Sequence, residues 1–187
     1  MSLIANNLTP RLTCETLQPP FISVIGVAIM SETTNVIEIH KAQLEDMEEI
    51  LRLQYIAYQS EALIHGDFTI QPLTQTLDET IEEYHKGIVL KAVLNGVIIG
   101  SVRAYTNNGA AYIGKLMVCP EYRGQGLGKE LLAAIEGEFS TKRFELYTSC
   151  KSDRNLHIYE TAGYKRMREE TDEAGIWFAY LEKPGGK

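Results

Sequence analysis

The stretch Val118-Cys119-Pro120-Glu121-Tyr122-Arg123-Gly124-Gln125-Gly126-Leu127-Gly128-Lys129-Glu130 decides the fold of this chain. It joins a strand-like run to an amphipathic helical run, and three of its glycines fall within five residues. Such glycines let the backbone approach a ligand, and the free N–H groups of a helix N-terminus bind anions such as phosphate. Arg123 and Lys129 add positive charge at the same junction. The stretch therefore predicts a strand, loop and helix unit that binds phosphate.

Two familiar phosphate motifs do not fit these glycine positions. A Rossmann G-x-G-x-x-G that begins at Gly124 needs a glycine where Lys129 stands. A P-loop fails as well, because Arg123 replaces its first glycine and Glu130 its Ser or Thr. Hydride transfer with a dinucleotide and nucleoside-triphosphate hydrolysis are therefore not predicted. A glycine-rich turn that only lets strand and helix pack closely is the structural alternative.

Hydrophobic periodicity predicts alternating strands and helices around this loop. The predicted strands are 36–40, 88–94, 97–106, 110–118, 144–150, 164–168 and 176–181, and the predicted helices are 43–60, 77–85, 124–137 and 155–162. Asn95-Gly96 indicates a tight hairpin, and residues 61–76 are predicted to be rich in loops. The helix between the strands at 110 and 144 is a crossover, which makes that pair parallel. The predicted fold class is α/β (α+β), with a mixed, mostly antiparallel sheet.

Composition narrows the classes of function. The chain has 187 residues, with 18 Lys and Arg against 25 Asp and Glu, so its net charge is −7. A nucleic-acid surface needs clustered positive charge, so no nucleic-acid partner is predicted. The longest apolar run, residues 21–30, is well short of the roughly 20 residues that a spanning helix needs, so no membrane association is predicted. The cysteines form no C-x-x-C pair, which predicts no metal site and a reducing, cytoplasmic location.

Residues 1–34 differ from the rest, with three prolines and no sustained periodicity. We predict an N-terminal extension over 1–34 and a single domain over 35–187. Two interpretations of the extension stay open. In one, translation naturally begins at Met30 and residues 1–29 are not native. In the other, the apolar run forms an extra strand or an interface with a partner subunit.

Three motifs resemble those of the GNAT superfamily, the acyl-CoA-dependent N-acetyltransferases. Arg123-Gly124-Gln125-Gly126-Leu127-Gly128 resembles the family's R/Q-x-x-G-x-G/A pyrophosphate loop. Leu116-Met117-Val118 looks like the end of the family's fourth strand, and N-L-H-I-Y-E-T-A-G-Y at 155–164 is similar to its motif B. The predicted order of elements also matches. The resemblance implies a GNAT-like sheet whose fourth and fifth strands splay apart, with acetyl-CoA as cosubstrate and no metal.

The resemblance also implies a binding site for acetyl-CoA. The pyrophosphate would lie on the amides of Arg123, Gly124, Gln125, Gly126, Leu127, Gly128 and Lys129. The pantetheine arm would pair with the backbone of Leu116, Met117 and Val118 and pass Asn155. In many family members the motif B asparagine stands where this chain has Ser152, so the choice between Asn155 and Ser152 stays open.

The resemblance implies catalytic roles for two groups. The Val118 N–H would polarise the thioester carbonyl, and Tyr159 would donate a proton to the leaving thiolate. Tyr112 stands where some family members have a glutamate base. Glu61 is our candidate base, with His65, Asp67, Glu145 and a water chain as alternatives.

The resulting functional prediction is transfer of an acetyl group from acetyl-CoA to a primary amine, by direct attack in a ternary complex. Glu61, Asp67 and the negative net charge favour a small cationic amine as the acceptor. A protein or peptide amine, and a non-catalytic acyl-CoA-binding sensor, are the alternatives. The family often dimerises, so a homodimer is one assembly that the resemblance implies, and the sequence leaves the oligomeric state open.

Overall fold

The computed structural model describes residues 36–186. Its strands are β1 (Glu38–Lys41), β2 (Ile88–Leu94), β3 (Val97–Asn107), β4 (Ala110–Val118), β5 (Arg143–Ser149), β6 (Lys165–Thr171) and β7 (Trp177–Pro184). Its helices are α1 (Met47–His65), α2 (Gln71–Thr74), α3 (Leu77–Lys86), α4 (Leu127–Gly137) and α5 (Asp153–Thr161). Short 3-10 turns at Leu44–Asp46 and Pro120–Tyr122 precede α1 and the glycine loop.

The strands form one seven-stranded sheet in the order β1-β2-β3-β4-β5-β7-β6. Every neighbouring pair is antiparallel except β4 and β5, which are joined by the α4 crossover and run parallel. The hairpin at Asn95-Gly96 joins β2 to β3, as the sequence predicts. The predicted fold class, a mixed and mostly antiparallel sheet with flanking helices, is confirmed.

The parallel pair opens soon after it forms. Ala110, Ala111 and Tyr112 of β4 pair with residues 143–145 of β5, and the paired register ends there. Both strands continue, β4 to Val118 and β5 to Ser149, so a gap separates their C-terminal halves. The splayed β4/β5 pair implied by the resemblance is present.

A β-bulge in β4 lies beside this gap. Between Ser101 and Arg103 the partner register jumps from Met117 to Gly114, so β4 carries one extra residue. Lys115 occupies the bulge with a left-handed backbone, φ 51°. A bulge bends its strand and increases its local twist. Its position accounts for the turn of β4 away from β5.

Helices cover both faces of the sheet around β3. Gly100 faces α4, because a methyl group at this glycine would meet Leu131 Cδ1 at 2.9 Å. Arg103, three residues further along the strand, faces α1 and donates to Gln54 Oε1 at 2.6 Å. Strand residues three apart point to opposite faces, so α1 and α4 lie on opposite sides of the sheet.

The structure corrects the predicted boundaries of two helices. The loop-rich segment predicted over 61–76 begins inside α1, which continues to His65 and ends at Gly66, a left-handed C-cap with φ 66°. The predicted helix 124–137 starts only at Leu127, since Gly124 and Gly126 have φ 79° and 91°. Glu61 is therefore held on a helix rather than on a loop.

Buried polar contacts fix the segment between α1 and α3. The Gln54 amide donates to Pro72 O at 2.8 Å and to Gln75 Oε1 at 2.9 Å, and Tyr55 Oη donates to Gln75 O. Thr76 caps α3 and shares a capping box with Glu79. These hydrogen bonds hold the connection between α1 and α3 in a fixed position beside the sheet.

The predicted N-terminal extension, residues 1–34, lies outside the described residues, and both interpretations of it stay predictions. Within residues 36–186 no helix combines the length and apolar character needed to cross a membrane.

We expect Gly87→Ala to lower the free energy of unfolding by about 1–3 kcal/mol, because its methyl group would overlap the backbone carbonyl of Ala104. Urea unfolding followed by circular dichroism measures this change. Gly137→Ala is the matched control: its methyl group meets nothing within 4 Å, and alanine suits a helix better than glycine. Equal losses of stability in the two variants would contradict the predicted overlap.

Candidate active site

A cleft of about 1560 Å³ opens where β4 and β5 separate. Small-molecule sites are commonly about 300–1,000 Å³, so this cleft has room for more than one ligand. The glycine loop and the first turns of α4 and α5 line one end. The C-terminal half of α1, the α1–α3 connection and the exposed faces of β5 and β7 line the other. We call these two parts the loop end and the wall end.

The glycine loop presents a row of free amides to the cleft. Positive φ at Gly124 and Gly126 turns the backbone toward the N-terminus of α4. The Arg123 amide donates to Pro120 O, and the Lys129 amide donates to Gly126 O. Within the described part of the chain, the amides of residues 124–128 make no backbone hydrogen bond. Five of the seven amides predicted to hold pyrophosphate are thus available to an anion.

The side chain of Arg123 holds this loop in place. Its Nε donates to Val118 O at 3.0 Å, and its other nitrogens donate to Ala57 O at 2.7 Å and to Ser60 Oγ at 3.2 Å. One guanidinium therefore joins α1, the end of β4 and the loop. Burial lowers the pKa of Arg123, and the positive charge of Arg154 adds to the shift. The Arg123 guanidinium points into the fold. The positive charge that faces the cleft at the loop end therefore comes from Lys129 and Arg154.

The amide of Val118 points into the gap between the strands. The next amide, that of Cys119, donates to Ile99 O of β3 at 2.8 Å. Successive N–H groups of a strand point in opposite directions, so the Val118 N–H faces away from β3. Leu116 and Val118 both line the cleft, as does the buried Met117. This open strand edge can pair with an extended ligand.

Tyr159 lies on α5 and lines the cleft while being only 7% exposed. Its ring meets that of Tyr164 edge to face, with centroids 6.1 Å apart. Burial raises the pKa of the Tyr159 phenol, and the nearby Glu61 carboxylate raises it further. The phenol therefore keeps its proton throughout the physiological pH range and can act as a hydrogen-bond donor.

Glu61 connects α1 to α5 through a single oxygen. Its Oε1 accepts from Ser152 Oγ at 2.8 Å and from Asn155 Nδ2 at 3.2 Å. Asn155 also contacts Thr148 Oγ1 at 3.5 Å. The two candidate positions for the motif B side chain thus bind the same carboxylate. Asn155 lines the cleft, and Ser152 is buried behind it.

The wall end gathers the candidates for a base. Glu61, His65, Asp67 and Glu145 all line it. Two hydrogen bonds from Thr69 lower the pKa of the Asp67 carboxyl, which keeps it ionised. Glu145 pairs with Arg143 and accepts a hydrogen bond from Tyr112. The role of Glu61 as base stays a prediction.

Aromatic rings form the floor of the wall end, which the sequence did not indicate. Tyr105 and Tyr112 stack with centroids 5.4 Å apart, and Tyr147 meets Phe178 at 5.4 Å and Tyr180 at 5.6 Å. These rings lie on four different strands. The sequence predicts which side chains alternate within each strand. That these aromatic rings share one face of the sheet follows only from the strand order.

Lys115 and Arg154 are two further side chains of the cleft that the sequence did not single out. Lys115 lines the wall end, where its Nζ donates to Gln71 Oε1 at 2.6 Å. Arg154 lies one residue before Asn155, and this position beside motif B could have indicated a role in the cleft.

Among residues 36–186, no group of three or more His, Cys, Asp or Glu side chains is arranged to hold a metal ion.

The family of the chain follows from its sequence. Residues 56–183, more than half of the chain, match the family model described as "Acetyltransferase (GNAT) domain". The chain belongs to the GNAT acetyltransferase family. The predicted family and the predicted enzyme class, an N-acetyltransferase, are confirmed. No curated protein sequence matches the chain.

Solved structures share the fold at low sequence identity. The PaiA N-acetyltransferase from Thermoplasma acidophilum, in complex with coenzyme A, is 19% identical, with a TM-score of 0.66 over 80% of this chain and 99% of that one. YncA from Salmonella typhimurium, with acetyl-CoA, is 14% identical, with a TM-score of 0.65 over 81% of this chain and 95% of that one. The ribosomal-protein-S18-alanine N-acetyltransferase from Escherichia coli is 14% identical, with a TM-score of 0.62 over 81% and 96%.

We expect Glu61→Ala to lower the free energy of unfolding by about 1–3 kcal/mol, because it leaves the buried Ser152 hydroxyl without an acceptor. Glu61→Gln keeps a side-chain oxygen at this position and should lose less. Chemical denaturation of both variants measures the difference. Equal losses would show that the charge of Glu61, rather than its hydrogen bonds, supports the fold.

Proposed function

We propose that this protein transfers an acetyl group from acetyl-CoA to a small cationic amine, by direct attack of the amine in a ternary complex. The observation that carries the proposal is one cleft that joins an open phosphate-type loop to an acidic, aromatic wall. The free amide of Val118 and the phenol of Tyr159 line the same cleft. Donor and acceptor can therefore meet without a covalent enzyme intermediate.

The loop end fits acetyl-CoA. The amides of residues 124–128 and the positive charges of Lys129 and Arg154 suit a pyrophosphate. The open edge of β4 at Leu116 and Val118 suits the amides of the pantetheine arm. When bound, acetyl-CoA supplies an activated acyl group. CoA in the PaiA structure and acetyl-CoA in the YncA structure support this choice of donor.

The wall end suits a cationic acceptor. Glu61 and the ionised Asp67 line it. Aromatic faces such as those of Tyr105 and Tyr147 attract ammonium groups, by about 0.5–2 kcal/mol each. A protein or peptide amine is the alternative acceptor, and the E. coli structural relative is named for an alanine of a ribosomal protein. The acidic and aromatic lining is the reason for choosing the small amine.

Two groups of the chain act on the reacting atoms in this proposal. The Val118 N–H donates to the carbonyl oxygen on which negative charge develops. Tyr159 donates its proton to the sulfur that leaves. Burial raises the pKa of Tyr159, which makes the phenol a weak acid. Burial disfavours the charged thiolate as well, so a sulfur in the same cleft is also a stronger base than in water. The cytoplasmic location and the homodimer stay predictions.

We expect Tyr159→Phe to lower kcat by roughly 100-fold, the lower end of what a general acid contributes, while the Kd for acetyl-CoA changes little. Steady-state release of CoA and calorimetric titration with acetyl-CoA measure the two quantities. Tyr164→Phe is the matched control: it removes the hydroxyl from the neighbouring buried ring, which donates to Glu136 outside the cleft lining. An unchanged kcat in Tyr159→Phe would remove this phenol from the mechanism.

A panel of amines tests the function itself. We expect acetyl-CoA-dependent thiol release with diamines and polyamines at a higher kcat/KM than with N-terminal peptides. Mass spectrometry of the products would show one acetyl group on nitrogen. Faster acetylation of peptides would favour a protein acceptor. Calorimetric binding of acetyl-CoA without thiol release from any amine would identify a sensor of acyl-CoA.

A further inference from the structure

Lys115 occupies an unusual position in β4. Among residues 36–186 only Asn95, Asn108 and Lys115 have a positive φ without being glycine, and both asparagines sit in hairpin turns. Asparagine tolerates this conformation better than lysine, whose side chain strains the backbone there. The bulge at Lys115 directs its side chain into the cleft, three residues before Val118 on the same strand.

The Lys115 amine has neutral neighbours at its head group. Nζ donates to the amide oxygen Gln71 Oε1 at 2.6 Å and lies 5.6 Å from the centroid of the Tyr58 ring. No carboxylate of the described residues forms an ion pair with it. A partly buried lysine that no carboxylate contacts directly is deprotonated more easily than a solvated one.

We propose that Lys115 is the general base that takes the proton from the acceptor ammonium. The proposal rests on the amine acetylation proposed above. The Tyr58 ring beside Lys115 belongs to a partly buried tyrosine, and the nearby Tyr159 contributes to raising the pKa of its phenol. Lys115 and Tyr159 therefore line the same cleft, and Tyr58 lies near both of them. The amine attacks between them.

The neutral Nζ of Lys115 takes one proton from the acceptor ammonium. The freed nitrogen lone pair forms the N–C bond to the acetyl carbon, and the C–S bond breaks. The sulfur takes the proton of Tyr159. The attacking nitrogen still carries two protons at this point; one of them moves to the Tyr159 oxygen and restores the phenol, and the other stays on the amide. Lys115 then returns its proton to solvent.

The surroundings of Lys115 suit this role. Burial lowers the pKa of Lys115 to about 8, with a further lowering by the positive charge of Arg103 on β3. The carboxylates of Glu83 and Glu79 on α3 oppose the shift. Tyr58 on α1 and Gln71 on α2 are uncharged neighbours. Half of the lysines are therefore neutral near pH 8, against almost none for a solvated lysine.

Glu61 is the competing base, and its contacts point to a different role. Its Oε1 already accepts from Ser152 and from Asn155, which holds α1 against α5. Activity of Glu61→Gln separates the two candidates, because glutamine keeps the hydrogen-bond acceptor and cannot take a proton.

The pH dependence of kcat, measured at saturating acceptor, tests the proposal. In the wild type we expect kcat to rise with pH to a plateau, with a midpoint near 8, because the neutral amine is the active form. Lys115→Met keeps an unbranched side chain and should lower kcat at pH 8 roughly 100-fold, without a plateau. Lys115→Arg keeps the charge but cannot act as a base, and should lose the plateau too.

Two controls accompany these variants. Lys86→Met removes a positive charge from the rim of the same cleft and should keep the midpoint. The Kd for acetyl-CoA should stay within about threefold in every Lys115 variant, since the loop end is untouched. A direct readout is the ¹³C NMR titration of lysine-labelled protein without substrate, in which the signal lost in Lys115→Arg should titrate near pH 8.

Four results would overturn the proposal. Recovery of kcat in Lys115→Arg, with KM as the altered quantity in Lys115→Met, would make Lys115 a binding site for an anion on the acceptor. Loss of the plateau in Glu61→Gln alone would assign the base to Glu61. Absence of thiol release by the wild type with every amine would overturn the proposed function, and this inference with it. An active wild type with unchanged Lys115 variants would overturn only the inference.

Discussion

The separation of β4 from β5 is the constraint on which the rest of this structure depends. Two parallel strands that stop pairing leave backbone donors and acceptors along both inner edges, and such groups need partners when they are shielded from water. Residues 110–112 pair with 143–145, and beyond them the edge of β4 is open. The cleft, its ligand-binding strand edge and its two differently lined ends all follow from this one break in the ladder.

Arg123 converts that opening into a rigid site. Its guanidinium holds the carbonyl of Val118, so the β4 edge keeps its direction after it has lost a neighbouring strand. The same side chain holds the backbone of α1, and Glu61 on that helix binds α5 in turn. A short chain of hydrogen bonds thus fixes the loop, the strand end and both helices, as preorganised donors require.

The sequence predicts those parts of the fold that depend on local chemistry. The sequence predicts the Asn95-Gly96 hairpin and the glycine loop because both need backbone conformations that few residues adopt. The end of α1 was missed, since the helix formers continue past residue 60 to the glycine at 66. The aromatic floor and Lys115 could not be found, because the first depends on which strands are neighbours and the second on a bulge in the register.

The strand order also bears on how the protein is made. β7 lies between β5 and β6, although it follows both in the chain. Until residues 177–184 have left the ribosome, β5 has no antiparallel partner and Phe178 and Tyr180 are missing from the floor of the cleft. The glycine loop and α4 are synthesised well before then. A nascent chain can therefore complete the loop end before the wall end, which lacks two of its aromatic rings until the seventh strand inserts.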